Sequence, residues 1–196
     1  MIKLGLVGEG IAKSQSPDLH ERLGASLGVA VRYDLVDSLG IVDFDFPSAI
    51  QTLRAEGYRG TNVTFPFKEK AAKLADICGE GVQRVGTANT LLFDEQGLRA
   101  ENTDYTGFIS AYRHSFGSQQ AGDVLLIGAG GVGRAVACAL GELSAHCIHI
   151  LERDEQRADT LCRDLNAMGI AAECVSAKQA QRELATWQGV VNCTPI

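Results

Sequence analysis

No stretch of this 196-residue chain is apolar for long enough to cross a bilayer. The opening "MIKLGLVGEG" is too short and too glycine-rich for a secretory signal, and reads as a strand and loop. Positive charge is in deficit. Eighteen Lys and Arg face 24 Asp and Glu, a formal charge of -6, and this argues against a nucleic-acid partner, which demands a basic face. The six cysteines, at 78, 138, 147, 162, 174 and 193, make no CxxC pair. Their spacing gives a zinc site little support and reads instead as reduced core thiols in a cytoplasmic protein without a metal. Repeats and low-complexity tracts are lacking too. What is present, 45% hydrophobic and 21% charged residues, suffices for a core and for one large domain or two small ones.

Strand-like and helix-like segments alternate along the chain, which predicts an α/β fold with mostly parallel sheets. Strands are expected at 2–8, 31–37 and 60–66, each followed by a helix, at 17–28, 47–57 and 68–78. "TANTLLF" and "LRAENTD" flank "DEQG" as a hairpin, and a helix covers 105–116. After the polar break 117–123 come strand "VLLIG", helix 131–144, strand "CIHILE", helix 155–168, strand "AAECV", helix 177–186 and strand "GVVNC". The break divides two sheets. The chain stops at "NCTPI", just after a strand, so the fold is expected to continue beyond it.

"GAGGVG" spells GxGxxG through Gly128, Gly130 and Gly133. It follows a strand and opens a helix, the context in which glycines let the backbone approach a pyrophosphate at a helix N-terminus. Gly128, Ala129, Gly130, Gly131, Val132 and Gly133 are therefore candidate dinucleotide contacts. A tight strand–helix turn without a ligand is the weaker reading. Glu152 lies about 20 residues past the glycines, where an acid holds the ribose hydroxyls of NAD. Asp154 adds a second carboxylate, while Arg153 could receive the 2′-phosphate of NADP. Two carboxylates tip the expectation toward NAD. Asp154 also suits the cap of helix 155–168.

"NVTFPFKEK" places Lys68 at the start of a helix, where the helix dipole disfavours a cation. A structural lysine has little reason to sit there; one that must exchange a proton does. "SQSP" (14–17), "NVTFPFK" (62–68), "VGTANT" (85–90) and "NTDYTG" (102–107), in this order and followed by "GAGGVGRA", resemble the shikimate dehydrogenase family with its quinate/shikimate branch. The resemblance spans the whole chain. It implies an N-terminal α/β substrate-binding domain (1–103), an NAD(P)-binding Rossmann domain (104–196) whose C-terminal part is missing here, and a cleft between them. It implies hydride transfer between nicotinamide and C3 of shikimate or quinate, a cyclic polyol carboxylate, in a monomer or homodimer. By that resemblance Lys68 is the catalytic lysine and Asp104 its partner. Ser14 and Ser16 bind the carboxylate, and Asn62, Thr64 and Asn89, with Lys68 and Asp104, bind the ring hydroxyls. Thr194, in "NCTPI", is counted with the cofactor set.

Taken alone, several of these residues have plainer readings. Ser16 before Pro17 makes a good helix N-cap, Asp104 a cap for helix 105–116, and Asn62 a polar residue at a strand edge. His20 reads as a helix residue and Tyr33, Tyr58 and Trp187 as packing. Two positions depart from the family. Glu152-Arg153-Asp154 stands where Asn-Arg-Thr is common in NADP users, and His20-Glu21 where His-Asn is common. A catalytically weak or inert dinucleotide-binding protein of the same fold, or another two-domain oxidoreductase, are the competing readings.

Overall fold

The strand β1 (Ile2–Gly8) alternates its side chains between two faces, and that alternation builds the first half of the molecule. Its Leu6 points to a face with Ile11 and Tyr33. Its Val7 points to the opposite face, into a larger core with Phe46, Ile50, Val63, Phe67 and Leu91. A computed structural model describes residues 1–194. Within them, residues 1–103 and residues from 104 onward form two compact units.

The first unit continues with α1 (Ser16–Ser26), β2 (Val31–Asp37), α2 (Phe46–Ala55), β3 (Gly60–Val63), α3 (Lys68–Leu74), β4 (Ile77–Cys78), α4 (Glu80–Val85), β5 (Thr90–Asp94) and β6 (Gly97–Glu101). Its six-stranded sheet runs β2-β1-β3-β5-β6-β4. β1 is parallel to β2 and β3, β5 is antiparallel to both its neighbours, and β4 is parallel to β6. α2 begins at an Asp45 side-chain cap and buries Phe46, Ile50 and Leu53, the spacing of one helical face.

The helix expected over 68–78 ends at Leu74. Asp76 and its neighbours are drawn into the sheet instead: Asp76 N–H donates to Leu98 O and Asp76 Oδ2 accepts from Leu98 N–H, both at 2.8 Å. Ile77 and Cys78 then pair with β6, and the helix α4, which the sequence pattern does not announce, follows until Gly86 adopts the left-handed conformation (φ 79°) that closes a helix. The strand expected over 60–66 stops at Val63, because a turn around the cis Phe65–Pro66 bond takes over.

The second unit contains α5 (Thr103–Phe116), which starts at the boundary, β7 (Gly122–Ile127), α6 (Gly131–Glu142), β8 (Ala145–Leu151), α7 (Glu155–Ala167), β9 (Ala172–Cys174), α8 (Ala177–Glu183) and β10 (Gly189–Asn192). Its four strands are all parallel in the order β10-β7-β8-β9. β10 and β8 flank β7, so the strand order reverses at the C-terminal end of β7, where a crevice for ligands forms in sheets of this kind. Leu126, Ile148 and Ile150 are fully buried; each contributes about 1.5–3 kcal/mol by leaving water.

The cysteines are not uniformly interior. All six are free thiols; Cys138 is buried, while Cys174 is exposed on β9. Among the described residues no three His, Cys, Asp or Glu side chains gather as a metal site, and no helix is long and apolar enough to cross a membrane.

Candidate active site

The glycine turn between β7 and α6 has its form because three glycines do different work. Gly128 has φ 97°, which side chains rarely tolerate, and a Cβ there would lie 2.9 Å from the Thr194 methyl. A Cβ on Gly133 would collide with Gly128 O. Gly130, the residue capping α6, has open space where its Cβ would be. Absence of side chains thus packs strand against helix at two positions and leaves the third accessible at the helix N-terminus, as a bound pyrophosphate requires. Thr194 completes the wall by packing against Gly128, while its hydroxyl donates to Asn192 Oδ1 at 2.6 Å.

Glu152 follows β8 and turns toward the same turn. Its carboxylate accepts from Ala129 N–H at 2.7 Å, Arg153 N–H at 2.7 Å and Asp154 N–H at 3.2 Å. These donors, Ala129 first, hold it below the ordinary glutamate value. Asp154 is the N-cap of α7, accepting from the N–H groups of Gln156 and Arg157. Arg153 is exposed. The turn therefore carries a fixed negative charge beside it.

In the first unit, Ser14 and Ser16 follow a loop fixed from β2. The Asp37 carboxylate accepts from the N–H groups of Leu39, Gly10 and Ile11, bonds that hold it well ionised. Ser14 N–H then donates to Ile11 O at 2.9 Å. Ser16 is not a helix cap. It is already the first residue of α1, and Ser14 Oγ accepts its N–H at 3.2 Å while donating to Ser16 Oγ at 3.1 Å. Glu21, in place of the expected asparagine, accepts from Tyr33 N–H at 3.2 Å and ties α1 to β2.

Tyr33, a packing residue by sequence, bonds to the next candidate residue, Asn62. Its hydroxyl donates to Asn62 Oδ1 at 2.8 Å. The ring stacks on His20 at 4.5 Å, and His20 Nδ1 faces Ser16 O at 2.8 Å. Burial pushes the Tyr33 phenol up to about 12. Asn62 in turn donates to Thr90 Oγ1 at 3.1 Å and to Asn89 O at 3.5 Å. Asn89, 9% exposed, accepts from Thr90 Oγ1 and Thr103 N–H, at 3.0 and 2.9 Å, and donates to Thr103 Oγ1. Asn62 and Asn89 are thereby members of one hydrogen-bonded network, with Tyr33, Thr90 and Thr103 as links that sequence reasoning missed, and His20 stands between Tyr33 and the Ser14–Ser16 pair. Only strand register, with Tyr33 opposite Leu4 and Asn62 opposite Leu6 on the same face of β1, could have revealed them.

Thr64 lies beyond β3 with its methyl over Gly8, where any Cβ would collide with it. Lys68 is the first residue of α3, half-buried, and its carbonyl accepts from Ala88 N–H at 2.9 Å. Asp104 does not cap a helix. It sits inside the first turn of α5, which begins at Thr103, and the acceptor for Thr103 N–H is the Asn89 side chain. Burial, then the Asp104 charge, pushes the Cys193 thiol up to about 11.

A parallel Rossmann-like sheet with this turn, preceded by a mixed α/β unit holding a polar network, defines a two-part α/β protein. Residues 6–91 match the profile described as the shikimate dehydrogenase substrate binding domain, and residues 111–195 that of shikimate / quinate 5-dehydrogenase. The chain belongs to the shikimate dehydrogenase family of oxidoreductases. It is 34% identical over 202 residues to the NAD(+) quinate/shikimate dehydrogenase of Corynebacterium efficiens, covering all of this chain and 70% of the relative. It is 35% identical over 192 residues to the NADP(+) shikimate dehydrogenase of Acidiphilium cryptum, covering 98% of this chain and 66% of the relative. The structure of quinate dehydrogenase from Corynebacterium glutamicum in complex with NAD superimposes with a TM-score of 0.88 at 32% identity, over 99% of this chain and 71% of that one. Both cofactors occur among these relatives.

Proposed function

We propose that the protein is a dehydrogenase, preferring NAD, that oxidises the C3 hydroxyl of a cyclic polyol carboxylate, shikimate or quinate, and runs in reverse on the ketone. The observation that carries the reading is that the bonded pair Ser14–Ser16 and the bonded pair Asn62–Asn89 both lie in the unit that matches a substrate-binding domain. Ser14 and Ser16 hold the carboxylate; Asn62, Thr64, Asn89 and Asp104 hold the ring hydroxyls. Lys68 takes the hydroxyl proton as the C–H bond breaks, with Asp104 orienting its amine, a pair of roles that matches what secondary-alcohol oxidation requires. A bound nicotinamide supplies the hydride acceptor or donor. Residues 128–133 with Thr194 cradle its dinucleotide. Glu152 and Asp154 offer negative charge where NADP carries a phosphate, which supports NAD; Arg153 is the one group favouring NADP. An inert binding protein draws no support from the relatives, whose names are those of dehydrogenases.

Steady-state kinetics of the full-length protein test the roles. Lys68→Ala is expected to melt like wild type and lose about 10²- to 10⁴-fold in kcat with a modest change in KM. Asp104→Asn is expected to lose turnover too, and the double variant to lose less than the sum, since the residues act together. A folded Lys68→Ala protein with wild-type kcat removes Lys68 from the mechanism.

A further inference from the structure

One backbone group sets the direction of the hydrogen bonds between Asn89 and Asn62. Thr103 N–H only donates, so the Asn89 side-chain atom 2.9 Å from it is the oxygen. The Thr90 hydroxyl lies 3.0 Å from that same oxygen and donates to it, which fills its second lone pair. With its proton spent there, Thr90 Oγ1 accepts from Asn62 Nδ2 at 3.1 Å. Asn62 Nδ2 also faces Asn89 O at 3.5 Å, a carbonyl that only accepts. Asn62 Oδ1 is then turned toward the Tyr33 hydroxyl, which donates to it at 2.8 Å. Thr103 Oγ1 stands 2.9 Å from Asn89 Nδ2 and 3.1 Å from Asn89 Oδ1; with the oxygen filled, it accepts from the nitrogen.

The two asparagines are left with opposite characters. Asn62 spends both amide hydrogens inside the protein and keeps a lone pair on Oδ1. Asn89 has its oxygen filled and keeps one amide hydrogen. Thr90 is the relay, because its hydroxyl is the group that passes the polarity of Asn89 on to Asn62. We infer that Thr90 is a positioning residue that fixes the hydrogen-bond polarity of the ring-binding site, so that Asn62 meets a ligand as an acceptor and Asn89 meets it as a donor. A ring substituent at Asn62 then has to carry a proton, and one at Asn89 has to offer a lone pair. Without the Thr90 hydroxyl the Asn62 amide is released to turn over, since the Tyr33 hydroxyl serves either of its ends. The site thus selects a polyol by the direction of its hydrogen bonds as well as by their place.

The inference rests on the reading in which Asn62 and Asn89 hold ring hydroxyls, and its test separates the two. Dissociation constants of the full-length protein are measured by calorimetry with NADH present, so that shikimate, itself the reduced partner, is not turned over. At each ring hydroxyl position in turn, the analogue carrying fluorine is compared with the analogue carrying hydrogen. Fluorine offers lone pairs and no proton. In wild type it is expected to bind roughly three- to tenfold more weakly than hydrogen at one ring position, where it faces Asn62 Oδ1, and more tightly than hydrogen at another, where it faces the Asn89 N–H. Thr90→Val keeps the shape of the side chain and removes the relay; it should abolish the fluorine penalty at the first position and leave the second as in wild type, where Thr103 N–H still orients Asn89. Thr90→Ser should restore the penalty. A merely structural role for Thr90 would shift both positions together, and that result overturns the inference, as does a folded Thr90→Val protein with the wild-type pattern. The wild-type scan needs no variant: fluorine and hydrogen equivalent at every position overturns the inference while shikimate binding leaves the function standing. A wild-type protein that binds neither shikimate nor quinate overturns both.

Discussion

A carboxylate that accepts three backbone N–H groups is held in place as an anion, and Glu152 is such a group. Its value lies below the ordinary 4.5 because Ala129, Asp154 and Arg153 donate to it. The folded state therefore binds the proton more weakly than the unfolded one. The resulting stability is complete above pH 4.5 and is lost as the pH falls through the lowered folded value. Thermal melts between pH 3 and pH 6 are expected to show a smaller acid-induced fall in Glu152→Gln than in wild type; parallel curves contradict the assignment. The same charge governs the cofactor. Glu152→Ser is expected to raise kcat/KM for NADP relative to NAD by roughly tenfold, the equivalent of about 1.4 kcal/mol. No change, or a wild type already favouring NADP, gives Arg153 the deciding role. At this scale the sequence made Lys68, the glycines and Glu152 legible, because each rests on a local spacing. It concealed Tyr33 and Thr90, whose partners lie 29 and 28 residues away across the sheet in the case of Asn62.

The two serines and α1 show how an element can mislead. Pro17 fits the first turn of a helix, yet the capping acceptor is Ser14, one residue further out than Gln15 at the N-cap position, and the Ser16 hydroxyl pairs with Ser14 instead of capping. Elements of the second unit follow the alternation of the sequence closely. The segment 75–86 does not, because the pairing of Ile77 and Cys78 with β6 is a long-range contact that overrides helix propensity. α5 depends on a similar contact: the Asn89 side chain accepts the Thr103 N–H. Asn89→Ala is expected to lower unfolding free energy by about 1–3 kcal/mol, measured in urea, by leaving buried polar partners unsatisfied. A value near zero makes Asn89 purely a ligand residue.

For the molecule as a whole, the two compact units coincide with the two family profiles, residues 6–91 in the first and 111–195 in the second. Ligand that binds only the folded protein stabilises it by mass action, about 2.7 kcal/mol at a hundredfold excess over Kd. NAD at that excess is expected to raise the melting temperature, and NADP at the same concentration to raise it less. The central claim is the reaction itself, and initial rates of the full-length protein with shikimate and quinate, each with NAD and with NADP, test it most directly. The account predicts turnover of at least one of the two acids, faster with NAD than with NADP at equal concentration. A folded protein that binds NAD yet reduces it with neither acid would contradict it.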